Sequence, residues 1–75
     1  MVLQEARVGQ IYLVEEVDLP LQLERRLEAL GIISGTKIKV LNRKPQGALV
    51  IFVRGTRFAI GSGIAENIRI REAEA

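Results

Sequence analysis

Two residue types that carry much of protein catalysis and metal binding are missing from this sequence of 75 residues, which has no cysteine and no histidine. Without cysteine there is neither a disulfide framework nor a thiolate nucleophile. Without histidine the commonest general base and the commonest metal ligand are both absent. We therefore expect no enzyme activity, no cofactor and no zinc or tightly held ferrous ion.

Long hydrophobic runs are also missing. No stretch approaches the ~20 apolar residues that a membrane-spanning helix needs. The first ten residues, MVLQEARVGQ, lack the basic and then apolar plan of a secretory signal. We expect a cytoplasmic protein that does not insert into membranes, with residues 1–75 forming one small domain around one core.

Acidic residues are absent from the central part of the chain. No Asp or Glu occurs between Gly31 and Ala65, although the net charge of the whole chain is only +2. The basic residues of this stretch are Lys37, Lys39, Arg43, Lys44, Arg54 and Arg57. One interpretation is a face of positive potential. The other is that Lys and Arg occupy solvated strand positions, where they also protect edges from aggregation.

Helical periodicity is confined to the stretch from Leu21 to Gly35, LQLERRLEALGIISG. Asp18 or Leu19 is predicted to cap the helix, with Pro20 in its first turn. Gly31 is predicted to take the left-handed position that follows a helix. The apolar side chains recur at i, i+4 and i+7, which predicts one buried helical face: Leu23, Leu27 and Leu30.

Short strands joined by glycine and proline turns are predicted for the rest of the chain, at residues 8–17, 36–43, 48–54, 58–60 and 68–71. Ile11 and Leu13 are predicted to share one face, with Tyr12 on the other or at a rim. Gly55 is predicted at the first central position of a type II′ hairpin turn. Five strands and one helix after the first strand predict a mainly β fold, a small barrel with the helix across one open end.

Six residues are candidates for binding a partner. Arg54 and Arg57 flank the hairpin tip, where two guanidinium groups can meet phosphate or carboxylate, although both are also ordinary solvated turn residues. Arg25 and Arg26 lie on the predicted outer face of the helix, where Arg25 can instead pair with Glu28 at i+3. The loop after the helix adds two apolar candidates, Ile32 and Ile33.

Several short blocks, taken in order, resemble those of the FeoA family. They are RLEALGI at 26–32, SGTKI at 34–38, FVRG at 52–55 and AENI at 65–68. The resemblance extends along nearly the whole chain and implies an SH3-like barrel. It also implies a small cytoplasmic accessory protein of ferrous iron transport, which binds and regulates FeoB, the membrane transporter with a GTP-binding domain. A similar domain closes iron-dependent repressors of the DtxR type, but this sequence shows no DNA-binding helices.

The residues leave other functions open beside this one. A stronger form of the FeoB hypothesis has one of the four candidate arginines enter the nucleotide site and stimulate GTP hydrolysis. Nucleic-acid binding through the basic strands is the alternative class, although single strands also require stacking aromatics, and the chain has only Tyr12, Phe52 and Phe58. Self-association through an exposed apolar edge near Val50 and Phe52 would give a homo-oligomer.

Overall fold

One antiparallel sheet carries most of the chain in the computed structural model, which describes residues 1–73. Its strands are β1 (Ile11–Val17), β2 (Lys37–Arg43), β3 (Leu49–Val53), β4 (Thr56–Ile60) and β5 (Ile68–Glu72). Helix α1 (Leu21–Ala29) follows β1, and the four-residue helix α2 (Ser62–Ala65) precedes β5. The predicted mainly β fold, with one substantial helix inserted after the first strand, is confirmed.

The sheet stays open, with the strand order β4-β3-β2-β1-β5. Within residues 1–73 no ladder joins the outer strands β4 and β5, so the sheet of the predicted small barrel is not closed. The chain before β1 partly covers the β5 edge, since Val2 bridges Arg69 and the Ile70 N–H donates to the Met1 carbonyl at 2.9 Å. This cover leaves β4 as the less protected edge.

The inner face of β1 carries Tyr12 and Val14, both buried, whereas Ile11 is 46% exposed. Ile11 and Leu13 do share a face, but it is the outer one, and the prediction that Tyr12 points away from the core is wrong. Tyr12 fits inside because its polar end is satisfied: the Arg7 backbone N–H donates to the Tyr12 hydroxyl at 2.8 Å.

Strands β2 and β3 each place alternate side chains in the core. Ile38 and Val40 are buried and Lys37 and Lys39 are exposed, as the alternation in β2 predicts. Strand β3 is apolar on both faces, and its odd-numbered residues from 49 to 53 all point inward. Phe52 is left 41% exposed on the outer face.

Helix α1 buries less of its leucine face than the sequence predicts. Leu27 is 5% exposed, Leu23 is half-buried and Leu30 is 48% exposed. The third core position is taken by Ile32, which lies just beyond the helix and is 1% exposed. The predicted seal of three leucines is therefore wrong at Leu30.

The ends of α1 explain this exchange. Gly31 has φ 94°, the predicted left-handed conformation. The Gly31 N–H donates to the Glu28 carbonyl and the Ile32 N–H donates to the Leu27 carbonyl, both at 2.9 Å, which is the Schellman pattern. This turn brings Ile32 beside Leu27. At the other end Pro20 is the N-cap and no side chain caps it, so the predicted cap one or two residues earlier is wrong.

Candidate partner-binding surfaces

The end of helix α1 presents cationic and apolar side chains together. Arg25 and Arg26 are exposed on the helix, and Leu30 and Ile33 are exposed at its end. Arg26 and Leu30 are four residues apart, so their side chains are neighbours on one helical face. Of the two loop candidates only Ile33 is accessible. Ile32 is buried, so its candidacy as a partner contact is wrong.

Arg54 reaches this helix end from the β3–β4 hairpin. A Cβ atom built on Gly31 would lie 2.5 Å from the Arg54 Cδ atom, so the arginine stem occupies the space that a side chain at position 31 would need. The guanidinium group is thereby held near the carboxyl end of α1, where the helix dipole favours a positive charge. We call Arg25, Arg26, Leu30, Ile33 and Arg54 the helix-end surface.

The turn that directs Arg54 differs from the predicted one. Val53 pairs with Thr56, and the two central residues are Arg54, with φ 51°, and Gly55, with φ 84°. Positive φ at both positions defines a type I′ turn, so the predicted type II′ turn is wrong by one residue in register. A left-handed conformation costs a residue other than glycine roughly 1–2 kcal/mol. In this left-handed conformation the Arg54 side chain lies over Gly31.

A second surface lies on the outer face of the sheet. The strand registers pair Ile11 with Lys39, Lys39 with Phe52, and Phe52 with Arg57, which makes one row across β1, β2, β3 and β4. A shallow groove of about 380 Å³ follows this row. We call the outward side chains along the groove and the row the Phe52 face; they are Ile11, Lys37, Lys39, Phe52, Arg54 and Arg57.

An acidic cleft of about 610 Å³ lies between the end of β1 and helix α1. Four carboxylates line it together with Val17, Ile32, Ile33 and Ser34: Glu15, Glu16, Glu24 and Glu28. Within residues 1–73 no three Asp or Glu side chains are grouped closely enough to hold a metal ion. The cleft is a region of negative charge on the surface.

The exposed candidate residues fall on two surfaces. Arg54 belongs to both surfaces, Arg57 belongs to the Phe52 face, and Arg25 and Arg26 belong to the helix-end surface. Sequence reasoning missed Ile11 as a surface residue of interest, and it named Lys39 only as one of the basic residues of the central stretch. The signal for Phe52 was present, because a strand that is apolar on both faces leaves an apolar patch unless something covers it. Ile11 was missed because the sequence analysis assigned it to the buried face of β1, whereas it lies on the exposed face.

The fold places this protein in a class of small, mainly β domains with one substantial helix inserted after the first strand. Among residues 1–73 no helix has both the length and the apolar character to cross a membrane. The FeoA domain family model matches residues 1–72. The chain belongs to the FeoA family, which is associated with Fe(2+) transport.

Individual relatives agree with this assignment. The chain is 35% identical over 69 residues to a Methanocaldococcus jannaschii protein named "Putative Fe(2+) transport protein A", an alignment that covers 92% of this chain and 83% of that protein. A crystal structure of an iron uptake regulatory protein, FeoA, superposes with a TM-score of 0.88 at 32% identity and 97% coverage of both chains. Stenotrophomonas maltophilia FeoA, solved with zinc and described as a procaryotic SH3 domain protein, gives a TM-score of 0.80 at 30% identity, covering 95% of this chain and 89% of that chain.

Proposed function

We propose that this protein is a small cytoplasmic accessory protein of ferrous iron transport, which acts by binding the GTP-binding transporter FeoB and regulating it. The observation that carries the proposal is the FeoA family match over residues 1–72, because it includes every strand and helix of the described fold. The M. jannaschii relative, named for Fe(2+) transport, supports iron as the transported substrate. The protein's own role is contact, without a reaction of its own.

The helix-end surface is the proposed contact with FeoB. It combines two exposed apolar side chains, Leu30 and Ile33, with the guanidinium groups of Arg26 on the helix and Arg54 over Gly31. Ile33 also lines the acidic cleft, so the surface borders on both signs of charge. Protein interfaces commonly have an apolar centre and a polar rim, and arginine is enriched in them. Arg54 adds a guanidinium group whose stem is already placed over Gly31, so less side-chain freedom is lost on binding.

Binding is tested by titrating this protein with the purified cytoplasmic domain of FeoB from the same genome, without nucleotide, with GDP and with a GTP analogue. We expect saturable binding in at least one nucleotide state. Ile33→Asp should weaken it by about tenfold or more, because it puts a charge into the apolar centre of the contact. Lys44→Glu, in the turn after β2 and outside the helix-end surface, should bind as the wild type does. Absence of binding in every nucleotide state would refute the proposal.

GTP hydrolysis followed in the same samples separates binding from activation. An arginine that enters a GTPase site raises the hydrolysis rate by roughly 10³–10⁵. We expect no change of that size from Arg54, because its stem is engaged over Gly31. Stimulation that is lost in Arg54→Ala or Arg26→Ala would instead make this protein a GTPase activator.

A further inference from the structure

We propose that the Phe52 face is a binding site for an acidic peptide segment that carries one large apolar side chain. This surface is centred on the sheet, whereas the proposed FeoB contact is centred on helix α1, and the inference does not require FeoB to be the source of the peptide. It rests on the order of side chains across the strands and on their charges.

The floor of the site is apolar. Ile11 is 46% exposed and Phe52 is 41% exposed, and both point outward. They stand on β1 and β3 in the same row, with Lys39 of β2 between them. Two strand spacings put their backbones roughly 10 Å apart. Because the lysine stem is itself apolar and its ammonium group extends into water, the three side chains form one floor onto which a single apolar side chain can pack.

The border of the site carries cations from β2, β4, β5 and the β3–β4 turn. Arg57 follows Phe52 in the first row. In the next row Leu13 lies between Lys37 and Arg71. Neither of these two rows contains a carboxylate. The five cations in and beside the groove are Lys37, Lys39, Arg54, Arg57 and Arg71.

Charge complementarity determines the chemistry of the occupant. One exposed ion pair contributes little to affinity, but several carboxylates along one segment can each meet a cation of this border. An apolar ligand without carboxylates would gain only the floor, and an acidic ligand without an apolar side chain would gain only screened surface pairs. A segment that carries both carboxylates and a large apolar side chain can contact the apolar floor and the cationic border together.

A nucleic acid fits the same surface less well. Binding of single strands depends on aromatic side chains that stack with successive bases. The Phe52 face has one aromatic ring, and its second apolar residue, Ile11, is aliphatic. Cations alone would hold phosphates without using the floor.

The probe for this site is a fluorescein-labelled peptide of ten residues, in which glutamates surround a single central leucine. Two matched peptides replace the leucine by serine or every glutamate by glutamine. We expect saturable binding of the first peptide by fluorescence anisotropy in low salt. Loss of the leucine should weaken binding by about tenfold. Loss of the glutamates should abolish it, and added salt should weaken it.

Variants locate the site on the protein. Phe52→Ala and Lys39→Glu should each weaken peptide binding by about tenfold or more. Lys44→Glu makes the same charge change as Lys39→Glu but lies in the turn after β2, and this variant should bind the peptide as the wild type does. Backbone amide NMR spectra of each variant establish that the fold is retained.

Three results would overturn the proposal. One is equal peptide binding by wild type and Phe52→Ala. Another is tighter binding of a 12-nucleotide single-stranded DNA than of the peptide, which would assign the face to nucleic acid. The last is self-association in sedimentation experiments that disappears in Phe52→Ala while the peptide does not bind, which would assign the face to a second copy of this chain. The FeoB titration uses Ile33, and this test uses Phe52 and Lys39, so either proposal can fail alone.

Discussion

At the scale of single residues, Arg54 and Gly31 depend on each other. The type I′ turn holds Arg54 in a left-handed conformation, and the arginine stem fills the space beside Gly31. Two effects favour glycine at position 31. Its φ of 94° disfavours a residue with a side chain, and the Arg54 stem occupies the space where a Cβ atom would lie. The sequence alone predicts only the first effect, since the helix ends at this residue. The second requires knowing that a hairpin 23 positions later folds back over it.

Gly31→Ala and Gly35→Ala separate these two effects. Both glycines have positive φ, 94° and 91°, but only at Gly31 does a Cβ atom meet another group within 4 Å. We expect Gly35→Ala to cost about 1 kcal/mol, the price of the backbone conformation alone. Gly31→Ala should cost more, because Arg54 must also move.

The double variant Gly31→Ala/Arg54→Ala tests the cause of that excess. If the excess comes from the Arg54 stem, urea unfolding should show that Gly31→Ala costs less in the Arg54→Ala background than in the wild type. Equal costs in the two backgrounds would mean that the contact between the two residues has no energetic effect.

At the scale of elements, the helical periodicity predicts where α1 lies but not which of its apolar residues are buried. Spacing at i, i+4 and i+7 groups Leu23, Leu27 and Leu30 on one face, but the Schellman turn ends the helix and puts Ile32 into the core in place of Leu30. In β1 the residues from Ile11 to Val14 are all largely apolar. Because no polar residue alternates with them, the sequence does not show which face of the strand is buried. The buried hydroxyl of Tyr12 needed a partner from the chain before β1, which no local pattern reveals.

Leu27 and Leu30 give a matched test of the helix assignment. Leu27→Ala should destabilise the protein by about 2–5 kcal/mol, because it opens a cavity in the core. Leu30→Ala, at the exposed C-cap three residues later, should change the free energy of unfolding by only about 0.5 kcal/mol. Urea unfolding followed by circular dichroism measures both. Equal losses would show that Leu30 belongs to the core after all.

At the scale of the whole molecule, the order of elements was predictable and the closure of the sheet was not. Glycine and proline turns separate the strands clearly, so their number and the place of the helix follow from local signals. Whether β4 reaches β5 depends on the curvature and twist of the sheet, which accumulate over all five strands. The basic stretch was also visible in the sequence. Its concentration beside Phe52 and Ile11 appears only when the strand registers are known.

The proposed binding of FeoB through the helix-end surface can be tested by mapping the contact on this protein. Backbone amide NMR signals of this protein are followed while the FeoB cytoplasmic domain is added in each nucleotide state. We expect signal changes concentrated at residues 25–34 and 54, and we expect the Ile33→Asp variant to show none of them. Signals that do not change in any nucleotide state, or changes that avoid the end of α1 altogether, would contradict the proposed contact.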